Sequence, residues 1–183
     1  MKKLFLSLLL ISFSALLFAQ ETKNEPVSQS KSIEFLSNKG LFVLKEFYDL
    51  GKIKGIHIYK DIYSEMDCEV LIITDIKNNT KMSCLRLKQD KYVGTIDADE
   101  LDECIQTLEY ISNNLLSTTP TVYTEVEYIS RDFVKIGAFY NKGWQIVVYL
   151  SPNSVFHLEP SEIANLKSVF ERAKYVIRDK TSK

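Results

Sequence analysis

The period of the apolar positions changes several times along the chain, and the changes mark its elements. At the N-terminus, in MKKLFLSLLLISFSALLFAQ, Lys2 and Lys3 precede an apolar run from Leu4 to Phe18 broken only by serines. Charge, apolar run and then the small Ala19 predict a secretory leader over residues 1–19, with a larger residue, Leu17, two positions before Ala19. The run falls short of the roughly 20 residues that span a bilayer, and no cationic stop-transfer cluster follows. Residues 20–31 (QETKNEPVSQSK) are polar and aperiodic, and read as a flexible tail.

From residue 32 to 183 no linker composition appears, which predicts one globular domain. Ser32 is expected to cap a helical turn through Asn38 that Gly40 stops, although a helix running on through Phe47 fits the same pattern. Leu41 to Tyr48 and Ile53 to Tyr59 read as strands around an Asp49-Leu50-Gly51 turn. Glu69 to Ile76 and Lys81 to Lys88 read as a hairpin turning at Asn78-Asn79, which would place Cys68 opposite about Gln89. Asp97 to Leu116 predicts a helix, with Asp97 and Glu100 at capping-box spacing and a stripe of Leu101, Ile105, Leu108, Ile111 and Leu115. Thr121 to Ser130, Phe133 to Tyr140 and Trp144 to Leu150 read as strands, and Pro160 opens a last helix with the stripe Ile163, Leu166, Phe170, Ala173 and Ile177.

These elements predict an α+β fold. Its sheet is mainly antiparallel, with six to eight strands, and helices at about 98–116 and 160–178 pack on one face. A shift of 62 residues lays Glu100 on Glu162, Leu101 on Ile163, Leu108 on Phe170 and Asn79 on Asn141. That is a tandem strand-strand-helix architecture; the identities are too sparse to establish common ancestry.

A three-residue loop at Asn141 to Gly143, with Gly143 at positive φ, sets a register. Tyr140 then opposes Trp144, Ala138 opposes Ile146, Ile136 opposes Val148 and Val134 opposes Leu150, making one face wholly apolar. The reverse face carries Phe133, Lys135, Gly137, Phe139, Gln145, Val147 and Tyr149, a mixture unusual for a solvated surface. Either another layer covers it, from the N-terminal strands or a second subunit, or it meets a partner. The candidate binding residues are Phe133, Phe139, Tyr149 and Gln145.

Composition narrows the chemistry. With 23 Lys and Arg against 24 Asp and Glu the net charge is −1, so no basic surface for nucleic acid is expected. Cys68, Cys84 and Cys104 match no zinc spacing and read as core residues; the hairpin disfavours a Cys68–Cys84 bridge and leaves a Cys84–Cys104 bridge open. His57 and His157 carry no companion motif. The acids Asp97, Asp99, Glu100, Asp102 and Glu103 lack the ligand alternation of a calcium loop and fit helix capping. Asn78-Asn79-Thr80 matches a glycosylation acceptor that the turn also explains. No catalytic residue, metal or cofactor is expected. The leading reading is an exported, periplasmic or secreted, non-enzymatic domain that binds a protein or peptide through its sheet, with a homodimer as a further option. The alternatives are a carrier of a small apolar ligand between sheet and helices, and a hydrolase using His57 or His157 with a distant carboxylate.

Overall fold

The computed structural model describes residues 29–57 and 62–182, so the expected leader over residues 1–19 and most of the expected tail lie outside the described residues. A short helix α1 (Lys31–Ser37) precedes β1 (Val43–His57), β2 (Ile62–Asp75), β3 (Thr80–Gln89) and β4 (Tyr92–Asp97). A 3-10 turn at Ala98–Glu100 then leads into α2 (Leu101–Tyr110), which ends in a π turn at Ile111–Leu115. The second half repeats the order: β5 (Thr124–Ile129), β6 (Lys135–Tyr140), β7 (Trp144–Ser151), β8 (Ser154–Leu158), a 3-10 turn at Pro160–Glu162 and α3 (Ile163–Thr181). Two units of four strands and a helix thus follow one another. The 62-residue shift carries the start of β4, its 3-10 turn and α2 onto those of β8 and α3 without a gap.

All eight strands form one antiparallel sheet in the order β4-β3-β2-β1-β8-β7-β6-β5. The units join where Ile56 pairs with His157 and His57 with Phe156, the two register pairs between β1 and β8. From that seam the sheet folds back on itself. A Cβ on Gly94 of β4 would stand 2.4 Å from Val134 Cγ2 and 3.2 Å from Leu150 Cδ2. Each long helix also crosses to the other unit: α2 packs against β5 and β6, and α3 against β1, β2 and β3. Both helical stripes land in one core with Phe156, Trp144, Met66 and the inner residues of every strand. Burial of such an amphipathic face, more than helix propensity, holds helices of this length. We call the side bearing α2 and α3 the inner face.

Several expectations need correction. Asp49-Leu50-Gly51 is not a hairpin turn but a bulge within β1, where the pairing with β2 shifts register between Asp49 and Lys52. Gly51 takes φ +84° there and its N–H donates to Asp49 Oδ1 at 2.8 Å. An Asp-x-Gly triplet signals positive φ, which a bulge needs as much as a turn. The β2–β3 loop spans residues 76–79, so Cys68 faces Leu87 and not Gln89. Asp75 directs that loop, accepting from Lys77 N at 2.9 Å and from Asn78 Nδ2 at 2.6 Å, which also occupies the amide of the acceptor motif. The β6–β7 register is as expected, but the positive φ falls on Lys142 and not on Gly143. All three cysteines are free and buried. Cys84 lies in the small cluster with Leu71 and Ile73, packed by Phe35 and Leu36 of α1, whereas Cys104 is in the main core, so the Cys84–Cys104 bridge that the sequence left open does not form. Ser30, not Ser32, is the α1 N-cap. The described residues form three helices rather than two, and the strands expected from the sequence include neither β4 nor β8.

Candidate functional site

The outer face differs between the units. Over the first, α1 lies on it and closes Leu71, Ile73 and Cys84 beneath Phe35 and Leu36. This layer covers the first unit and not the β6–β7 face for which the sequence calls for one. Over the second unit no helix of the described residues lies on the outer face. Register sets its side chains in rows: Glu125, Phe139 and Gln145; then Glu127, Gly137, Val147 and His157; then Ile129, Lys135, Tyr149 and Val155.

Three of the four residues singled out from sequence therefore share this face. Phe139 and Gln145 are directly paired, and Tyr149 stands opposite Lys135. Phe133 does not join their rows. It sits in the β5–β6 turn at φ +60°, 40% exposed, with its N–H donated to Ser130 O at 2.9 Å. A left-handed backbone at an aromatic residue is strained, and it breaks the alternation that placed Phe133 beside Lys135.

Two residues not chosen from sequence complete the face. Tyr123 stacks on Phe139 with ring centres 6.4 Å apart, and His157 meets the same ring edge-on at 5.7 Å. His157 was missed because β8 was missed; the signal was the alternation Ser154-Val155-Phe156-His157-Leu158 after Pro152-Asn153. Lys135 pairs with Glu127 at 2.8 Å and lies 6.0 Å from the Tyr149 ring centre. Phe139, Gln145, Tyr149 and His157 are half-buried, while Val147 and Val155 are buried. A depression of about 460 Å³ opens beside them at the seam, lined by Lys54, Ile56, Tyr63, Gln145, His157 and Pro160. Another, of about 370 Å³, runs between α1 and the β1–β4 strands. Neither is lined by a residue of α2 or α3.

Burial of His157 pushes its pKa below the ordinary histidine value. The neutral ring is therefore favoured in the fold. Its contribution to stability is complete above the unfolded value of about 6.5 and is lost as pH falls through the lower folded value. Melting temperature is expected to drop between pH 7.5 and 5, and His157→Gln to flatten that slope; equal slopes in the two proteins would refute the assignment. The two histidines occupy neighbouring strands one register position apart, His157 opposite Ile56 and His57 opposite Phe156. No hydrogen bond joins His157 to a carboxylate among the described residues.

The acids of the first helical turn act structurally. Asp97 N–H donates to Glu100 Oε2 at 3.1 Å, the return half of a capping box. The buried Asp97 carboxylate accepts from Ser30 Oγ at 3.0 Å, Lys31 N at 2.7 Å and Ser32 N at 3.1 Å, so it also caps α1. Arg131 closes the cluster, with Nη2 at 3.2 Å from Asp97 and 3.4 Å from Glu100, and it also pairs with Asp99. The guanidinium hydrogen bond holds Asp99 down at about 2. Tyr128 Oη donates to Glu100 at 3.0 Å. These lone pairs are taken by protein donors. No group of three His, Cys, Asp or Glu that could hold a metal ion occurs among the described residues. No helix among them is long and apolar enough to cross a membrane. Comparisons with protein-family models, with curated proteins and with solved structures found no match.

Proposed function

We propose that this chain is an exported, non-catalytic binding domain that recognises a protein or peptide through the outer sheet face of its second unit. The carrying observation is the asymmetry between the units. One outer face is closed by α1, while the corresponding face of the other presents Tyr123, Phe139, His157, Gln145 and Tyr149 with no helix of the described residues over it. Aromatic groups set among polar ones are what protein interfaces concentrate, since rings bury large area at small entropic cost. The leader-like N-terminus and the near-neutral charge support export and a partner other than nucleic acid.

A photo-crosslinking residue at position 145, compared with one at the exposed Tyr175 of α3, tests the reading in cells. Adducts are expected at 145 alone, and their yield should collapse when Phe139 and Tyr149 are both changed to serine while the melting temperature stays within a few degrees. A collapse of melting temperature in that double variant, or equal adducts at 145 and 175, would sink it. A small apolar ligand is the second reading. The seam depression borders Gln145 and His157, and its volume falls within the roughly 300–1,000 Å³ of ligand sites. Native mass spectrometry showing a stoichiometric small-molecule adduct would favour it.

A further inference from the structure

The two ends of the sheet are finished differently. At β4 the outward main-chain groups of Thr95 are both met by side chains: its N–H donates to Asp132 Oδ2 at 2.9 Å, and its C=O accepts from Ser130 Oγ at 3.4 Å. The next outward donor, Asp97 N–H, is bound by Glu100. These bonds occupy the Thr95–Asp97 half of that edge. At β5 the situation is reversed. Ser130 N–H donates to Val134 O at 2.8 Å, and from this bond the antiparallel alternation turns the main-chain groups of Thr124, Val126 and Tyr128 toward β6. Those of Glu125, Glu127 and Ile129 point away from the sheet, and among the described residues no hydrogen bond meets them. Val122, Tyr123 and Ile129 along this edge are 70%, 66% and 49% exposed.

An open edge pairs with any extended chain unless its side chains choose. Here they choose by charge. On the outer side of the edge stand Glu125 and Glu127. Glu127 pairs with Lys135 at 2.8 Å, while Glu125 makes no ion pair among the described residues, accepting from the Tyr123 hydroxyl at 2.9 Å and feeling Lys135 only through space. On the inner side, α2 packs against β5 and carries Glu103, which has no ion pair among the described residues; α2 contains no Lys or Arg. Between the carboxylates, Val126 and Tyr128 offer apolar surface.

Resting on the peptide-binding reading above, we infer that β5 is the docking edge and that its occupant is an extended, basic peptide, alternating cationic with apolar residues, which adds as a ninth strand. A second copy of this chain would oppose Glu125 and Glu127 to their own counterparts, and like charges directly opposite one another destabilise a strand pair. Residues 20–28 of this chain carry Glu21 and Glu25 against the single Lys23, a net charge of −1, and Pro26, a residue that cannot donate to a ladder.

The purified protein should bind a fluorescent ten-residue peptide alternating lysine and valine, with amide protection gained at Glu125, Glu127 and Ile129. A glutamate–valine peptide should not bind. N-methylation of alternate peptide nitrogens should weaken binding at least tenfold, as should Glu125→Lys, whose exposed site leaves folding intact by melting temperature. The N-methylated peptide needs no altered protein, so it stands even if that variant folds poorly. Equal affinity for the methylated peptide, or no binding of the lysine–valine peptide at all, would overturn the edge assignment. If crosslinking at position 145 persists in that case, face recognition survives and the β5 carboxylates serve only to protect the edge. If crosslinking fails while the peptide still protects Glu125 and Glu127, the face reading falls and the edge stands.

Discussion

Asp97→Ala is expected to cost about 4 kcal/mol and to lower the melting temperature by roughly 10 °C, because it leaves buried donors without an acceptor. Asp97 is 1% exposed and accepts three hydrogen bonds from the first turn of α1, besides facing Arg131. With Ser30 Oγ taking the Ile33 N–H at 3.3 Å, no main-chain donor of that turn is left over. Helix α1 has seven residues, too few to persist without its docking. The loss should therefore begin locally. Cys84 lies under α1, and burial raises its thiol to about 12, so in the native protein it should resist alkylation. In the alanine variant Cys84 should react first, while Cys68 and Cys104 in the main core stay protected. Asp97→Asn keeps an acceptor oxygen and should fall between the two. A melting temperature within two degrees of the parent, or simultaneous reaction of all three thiols, would show that Asp97 does not hold α1.

What the sequence made legible and what it hid divide along a physical line. The helical stripes were readable because burial repeats every three or four residues, and Ile163, Leu166, Phe170, Ala173 and Ile177 are all buried as that spacing requires. The β6–β7 register was readable because its short loop fixes it and a slip of one residue would expose Ile146 and Val148. β4 was not, because Tyr92 to Asp97 includes Gly94 and Thr95 and lacks strand alternation; its identity comes from packing on Val134 and Leu150. The long β1 was hidden by its own bulge. Capping by Asp97 was visible at α2, five residues of local sequence, but its larger role at α1 spans more than sixty residues and left no local trace. The candidate face was legible as far as Phe139, Gln145 and Tyr149, which alternate along two strands. It was not legible at His157 or Tyr123, which depend on the seam and on a ring contact.

That seam carries the last expectation. Gly55→Ala should cost about 3 kcal/mol, or close to 8 °C in melting temperature, although it adds a single methyl group. The new Cβ would stand 2.4 Å from the main-chain oxygen of His157 and 2.5 Å from Phe156 Cε1. The ring can shift; the carbonyl belongs to the strand that joins the units at Ile56–His157 and His57–Phe156. Phe156 is fully buried, so shrinking it has its own cost from lost burial and the space left behind. The double variant Gly55→Ala with Phe156→Leu separates the two obstacles. If the carbonyl decides, the double variant is additive to within about 0.5 kcal/mol, and amide exchange quickens at Ile56 and His157. A double variant more stable than Gly55→Ala alone would assign the clash to the ring and leave the seam intact. Because His157 and Gln145 sit beside this joint, a seam opened by the carbonyl clash should also reduce crosslinking at position 145, where a ring-only clash would leave it unchanged.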